Sequence, residues 1–174
     1  MRTYGILLVL GLLLAFIAFQ ARTGIFRRAN PGAPANKYTR EQMEGQQMLE
    51  EDVALVKQRY ADAVVTPSGL RYIVRAPGTG QPPSFGAEVV AHYEGRLLAN
   101  GQKFDSSYDR HEPFAFRVGT GAVIKGWDEA FAHMRQGEKR TLIIPWWLAY
   151  GIQGRGPIPP RATLVFEVEL VEIH

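Results

Sequence analysis

Residues 163–173 read TLVFEVELVEI, and this run decides how the rest of the chain is read. Phe166, Val168 and Leu170 alternate with Glu167 and Glu169, and Glu172 stands just beyond. Successive strand side chains point to opposite faces, so the alternation predicts one apolar and one wet face, as in an antiparallel sheet covered on one side. Similar short β-rich runs precede it at Leu70–Val74, Glu88–Arg96, Phe114–Val118 and Lys139–Ile144. Turn residues separate them, among them Pro77-Gly78-Thr79-Gly80, Asn100-Gly101 and Gly154-Arg155-Gly156-Pro157. One helix is predicted near Val123–Met134, with Trp127, Phe131 and Met134 on one face. No internal repeat is visible. From Thr66 onward the chain therefore reads as a single α+β domain: one antiparallel sheet, one short helix and long loops.

Composition supports this and removes several functions. Of 174 residues, 46% are hydrophobic and 21% charged, a globular mix that excludes disorder over most of the chain. The 18 glycines and 11 prolines favour a strand- and loop-rich fold over a helical bundle. With no cysteine, disulfides, thiolate zinc sites, cysteine nucleophiles and cysteine lipidation are excluded. The formal net charge of +3 is unevenly spread. Residues 1–40 hold six basic residues and no acid, whereas residues 41–174 hold 14 basic residues against all 17 acids. A body slightly acidic overall lacks the basic face that phosphate neutralisation needs, so nucleic acid is not an expected partner.

The N-terminal appendage has its own logic. Residues 6–19, ILLVLGLLLAFIAF, carry no charge; Arg2 precedes them, and Arg22, Arg27 and Arg28 follow. Fourteen apolar residues suit a signal core or a short anchor better than a full span of about 20 residues. The only near-fit to a small-x-small cleavage site, Ala18-Phe19-Gln20, ends on a large polar residue, which favours an uncleaved signal anchor. Flanking charge alone would hold the body in the cytoplasm, but a short leading segment with an N-terminal arginine favours export. The expected location is membrane-anchored or exported, on the periplasmic side of the inner membrane if bacterial. Residues 29–36, ANPGAPAN, read as a linker. Thr39 with Gln42 fits a capping box opening a helix to about Ala63, whose narrow apolar stripe is either a solvated spacer face or a surface for a second copy or a client chain.

Hydrolytic, metal and nucleotide chemistry lack their parts. The four histidines, at 92, 111, 133 and 174, include no pair at helical ligand spacing, and there is no G-x-S-x-G elbow. The Gly119–Gly126 stretch matches neither phosphate-loop spacing. Asp105 and Asp109, among arginine and aromatic neighbours, read as structural ion-pair partners. No cofactor or metal is expected. What the body has in excess is aromatic residues near turns: Tyr93, Phe104, Tyr108, Phe114, Phe116, Trp127, Trp146, Trp147, Tyr150 and Phe166. One helix cannot hide ten such rings, so some of them should line a cavity suited to an apolar ring such as proline, with Phe116 placed in the core.

The runs VVAHYEGRLLANGQKFDSSYDRHEPFAFRVG, VIKGWDEAFAHM and LAYG…IPPRATLVFEVELVEI resemble the FK506-binding protein (FKBP-type) peptidyl-prolyl cis–trans isomerases. The resemblance covers about residues 66–174 and keeps the family's motif order. It implies a twisted antiparallel sheet wrapped around one short helix, isomerisation of X–Pro bonds in proline-containing polypeptide clients, and inhibition by FK506-like macrolides. It divides the chain into 1–28 (signal anchor or signal peptide), 29–65 (linker and spacer helix) and 66–174 (isomerase domain).

Carried over by motif, the resemblance implies a proline pocket walled by Tyr93, Phe104, Phe114 and Phe166, with Trp127 as floor and Val123 and Ile124 as rim. The Ile124 N–H would hold a substrate carbonyl. Asp105, oriented by Tyr93 and Arg110, would stand beside the twisting amide; Tyr150 would offer its hydroxyl, and Ile158 would close the loop side. The stretch Tyr150–Ile158 is one residue shorter than the commonest family form, so Arg155 is assigned no role. Trp146 and Trp147 replace a polar pair and either widen the apolar rim or pack under the sheet. Two rivals to catalysis are a proline-motif binding module and a holdase chaperone.

Overall fold

A computed structural model of the chain describes residues 45–174. The hydrophobic run 6–19, the linker 29–36 and the Thr39–Gln42 capping box lie outside the described residues. Among the described residues no helix is long and apolar enough to cross a membrane.

The elements, in chain order, are α1 (Glu50–Arg59), β1 (Val64–Val65), β2 (Arg71–Ala76), β3 (Glu88–Leu97), β4 (Lys103–Ser106), β5 (Phe114–Arg117), α2 (Lys125–Phe131), β6 (Lys139–Ile144), a 3-10 turn at Trp146–Leu148, and β7 (Leu164–Ile173). The seven strands form one antiparallel sheet in the order β1-β2-β6-β7-β3-β4, with β5 also on β3. The alternation read in residues 163–173 is real: Leu164, Phe166, Val168 and Leu170 are buried, whereas Glu167 is exposed and Glu169 half-buried. That apolar face meets α2, whose Trp127, Ala130 and Phe131 are buried with Met134 in the same core. Close approach of helix to sheet depends on Gly126. A Cβ there would lie 2.5 Å from Ile144 Cγ2, so a larger residue would push α2 off β6.

Three features depart from the sequence reading. β4 and β1 carry no period of their own, since one is a four-residue KFDS and the other a pair of exposed valines. The helix predicted near Val123–Met134 is the shorter α2, because Ile124 stays extended as its N-cap (φ −60°, ψ 146°). Over residues 46–63 the helix predicted to run from Thr39 to Ala63 covers only Glu50–Arg59. Its first turn carries Glu50, Glu51 and Asp52 and its last Lys57 and Arg59, charges that match the helix dipole.

That helix is also not a free spacer. Val56 packs with Leu98, Ile143 and Val165, and Met48, Leu55, Tyr60 and Ala63 flank them. α1 thus covers part of the sheet face turned away from α2, and Gln46–His174 form one compact unit. A boundary drawn at residue 66 leaves out a helix that the sheet holds, and most of the stripe read as open to a second copy or a client is used within the chain. The partners of Val56 come from β6, β7 and the turn after β3, which no local periodicity announces.

Candidate active site

β4 and β5 share one edge of β3: β4 pairs with Glu94–Arg96 and β5 with Glu88–Ala91. Residues 107–113 leave the sheet between them. Buried Ser107 fixes this excursion, because its hydroxyl accepts the Tyr93 N–H (2.8 Å) and its own N–H donates to the Tyr93 carbonyl (3.0 Å). The detour brings Arg110 back beside Asp105 of β4 and Tyr93 of β3. The Tyr93 hydroxyl donates to Asp105 Oδ2 at 2.5 Å and accepts from Arg110 Nη2 at 2.8 Å. Arg110 Nη1 closes the ring onto Asp105 Oδ1.

Burial pushes the Asp105 carboxyl up, but hydrogen bonds from Tyr93 and Arg110 and the arginine's charge outweigh it and hold it below the ordinary 3.8. Burial first, then the bond to Asp105, raises the Tyr93 hydroxyl above its ordinary 10.0. The site is thus a fixed ionic group, carboxylate against guanidinium, bridged by a neutral phenol.

Beside it opens a cleft of about 1040 Å³. Tyr93, Phe104, Asp105, Phe114, Val123, Ile124, Trp127, Tyr150, Ile158 and Phe166 all line it. Trp127 is buried at the centre of the rings, with Tyr93 at 5.0 Å and Phe166 at 5.3 Å, both edge-on. Its indole N–H has no hydrogen-bond partner among the described residues. Phe104 and Phe166 meet edge-to-face at 5.5 Å over Gly95, where a Cβ would fall 2.6 Å from Phe104 and 2.7 Å from Phe166. The glycine lets both rings close the wall.

The loop before α2 is held by Asp128, whose carboxylate accepts the N–H groups of Gly119 (2.9 Å) and Gly121 (2.8 Å). Among the described residues the Ile124 N–H donates to no backbone carbonyl. Tyr150 has a hydroxyl without a protein partner among those residues, and its pKa is raised chiefly by burial. The cleft thus offers apolar walls, the Ile124 and Trp127 N–H groups, the Tyr150 hydroxyl and the fixed Asp105 carboxylate.

A family model described as FKBP-type peptidyl-prolyl cis-trans isomerase matches residues 80–171. The chain belongs to this family. An FK506-binding protein 2 of Podospora anserina is 57% identical over 89 residues, 51% of this chain and 48% of that protein. The chain thus spans about half the length of that relative. An FK506-binding protein of Neisseria meningitidis serogroup B is 51% identical over 98 residues, 56% of this chain and 89% of that one. The solved structure of AtFKBP13 superposes with a TM-score of 0.62 and 42% identity, over 64% of this chain and 98% of that one. The α+β architecture read from residues 66–174 is therefore the FKBP fold.

Within this FKBP cleft, every pocket residue named from the sequence lies on the lining except Arg110, which reaches it through Asp105 and Tyr93. Of the other aromatics, Phe116 is in the core as expected, and Tyr108 stacks on His92 at 4.7 Å. Trp147 is a wall residue, its N–H donating to the Ser68 carbonyl at 2.9 Å. Trp146 meets Trp147 edge-on at 5.5 Å and donates to the Gln47 carbonyl at 3.0 Å. Lys125 and Arg155 also line the cleft, and the sequence reading gives neither a role there. Arg155 sits between two glycines in a shortened loop, so only its three-dimensional position reveals it.

Proposed function

We propose that this chain accelerates rotation about X–Pro peptide bonds in folding polypeptides and that the cleft is where it does so. The observation that carries this reading is the Tyr93–Asp105–Arg110 ring standing at the edge of an aromatic-walled cleft. Rotation about the bond crosses a barrier of about 18–20 kcal/mol because amide resonance is lost at the twist. No bond breaks, so neither nucleophile nor metal is needed. The catalyst has only to favour the twisted amide over the planar one.

Each group has a place in that task. Trp127, Phe104, Phe114 and Phe166 take the proline ring and exclude water, which disfavours the more dipolar planar amide. The Ile124 N–H holds a substrate carbonyl, and the Tyr150 hydroxyl bonds the substrate backbone. Val123 and Ile158 close the two sides. Asp105, kept ionised and oriented by Tyr93 and Arg110, supplies a fixed field beside the rotating group. These groups are all present, which favours turnover over recognition alone.

The test is cis-to-trans relaxation of a Leu-Pro or Phe-Pro peptide with the purified full chain, with and without FK506. Drug-sensitive acceleration supports the reading; drug binding without acceleration replaces it with a recognition module. We further propose, from the uncharged run 6–19 and its arginine flanks, that the isomerase works at or beyond a membrane. An alkaline-phosphatase fusion after residue 40 that stays inactive would remove that placement.

A further inference from the structure

Two exposed cations on the lining of the cleft have no acid to answer them among the described residues. Lys125 opens α2, Arg155 lies in the loop between Tyr150 and Ile158, and both side chains are exposed on the lining. Among the described residues neither lies within ion-pair distance of a carboxylate. The neighbouring acids are committed elsewhere. Asp105 is answered by Arg110, Asp128 accepts the Gly119 and Gly121 N–H groups, and Glu129 accepts the Ser68 hydroxyl at 2.6 Å.

Arg155 is not on a loose tether. Its N–H donates to the Ile158 carbonyl and the Ile158 N–H donates back to its own carbonyl, both at 2.9 Å. The guanidinium stands 6.0 Å from the centre of the Tyr150 ring, on the side of the cleft where that hydroxyl is offered. Its charge is felt there: it opposes the burial that raises the Tyr150 hydroxyl. With the Ile124 N–H and the Tyr150 hydroxyl assigned to substrate backbone and Asp105 answered by Arg110, these two cations are the lining groups left to tell one proline segment from another by charge.

We propose that Lys125 and Arg155 select proline segments carrying a glutamate or aspartate within two residues of the proline. This rests on the isomerase reading above and adds a substrate class to it. Two cations on the lining of one cleft attract such a side chain on approach and hold it at the rim, and salt weakens both effects.

The experiment compares peptide pairs that differ only by Glu or Gln, placed in turn at the two positions before and the two after proline, with the full chain at low salt. Turnover and binding are measured in parallel, binding through the fluorescence of the cleft tryptophans. The Glu member should be favoured by about threefold to tenfold at one position or more, the scale of one or two exposed ion pairs. The ratio should fall toward one at high salt and in a Lys125→Gln/Arg155→Gln double variant. Lys125→Glu with Arg155→Glu should reverse the preference toward peptides with lysine there, which no loss of packing would produce. Equal turnover and binding of Glu and Gln members at all four positions would overturn the proposal while leaving the isomerase reading intact. Preferential binding of the Glu member with no turnover of any peptide would do the opposite.

Discussion

The Tyr93 hydroxyl donates a hydrogen bond to Asp105 Oδ2 across 2.5 Å while accepting one from Arg110, so the neutral phenol bridges a carboxylate and a guanidinium that also touch directly. Asp105→Asn keeps the shape but removes the charge on which both partners converge. It should lower kcat/KM roughly tenfold, the scale of one charge-assisted hydrogen bond of about 1.5 kcal/mol, in a protein whose near-ultraviolet circular dichroism is unchanged. Wild-type kcat/KM in the folded variant would take Asp105 out of the mechanism.

The same ring sets a pH window. Asp105 titrates below its ordinary 3.8, so its contribution to stability is present above that value and disappears as pH falls through the lowered folded pKa. Tyr93 titrates above its ordinary 10.0, so its contribution is present below that value and fades as pH rises through the raised one. Activity measured from pH 5 to pH 9 should show no step attributable to either group. A carboxylate-like step in that range, absent from Asp105→Asn, would mean that the partners do not hold the carboxylate ionised.

Gly95 carries a prediction about shape alone. A methyl group there meets Phe104 and Phe166 at under 3 Å, so Gly95→Ala must spread the two rings that wall the cleft. Overpacking of this kind costs about 1–3 kcal/mol. Urea unfolding should register that cost, and FK506 titration of the folded variant should show weaker binding. An unchanged affinity would mean the rings yield without altering the cleft.

How much of this was legible follows from where each signal resides. β7 could be read because Phe166, Val168 and Leu170 alternate with acids within one short run. The cleft rings could be anticipated as a group, since ten aromatics near turns exceed what one helix can cover. Arg110 became a site residue only through the family motif, because its approach to Asp105 depends on the excursion that Ser107 ties to Tyr93. Trp147 stayed open between the rim and the underside of the sheet, and Arg155 went without a role, because their directions are set by a 3-10 turn after Pro145 and by the length of the loop beyond Tyr150. Such choices are made by tertiary geometry and leave no periodic trace.

The docking of α1 is open to a direct test. Val56 is buried against Leu98, Ile143 and Val165 on the sheet face away from the cleft. Val56→Ala should cost about 1–2.5 kcal/mol, from lost transfer energy and the cavity left behind. It should leave kcat/KM of the folded protein unchanged, since none of these four residues lines the cleft. No loss in urea midpoint would mean the helix is only resting on the sheet.

A buried ion pair gives the largest expected effect on stability. Glu138 and Arg140 have side chains only 6% and 9% exposed and meet at 2.5 Å. Arg140 also donates to the His133 carbonyl at 2.8 Å and lies over the Tyr72 ring, while Glu138 accepts the Arg135 N–H at 2.9 Å. Together they fasten the turn after α2 to the start of β6. Replacing Glu138 by alanine leaves a guanidinium in the interior with its charge unanswered and an N–H without its acceptor, a loss of about 3–5 kcal/mol. Replacing both residues by apolar ones of similar volume removes the stranded charge, so Glu138→Leu with Arg140→Met should recover most of that loss in the same urea titration. If the double variant is as unstable as Glu138→Ala, the pair is needed for the hydrogen bonds it makes to the turn and not for its charge balance.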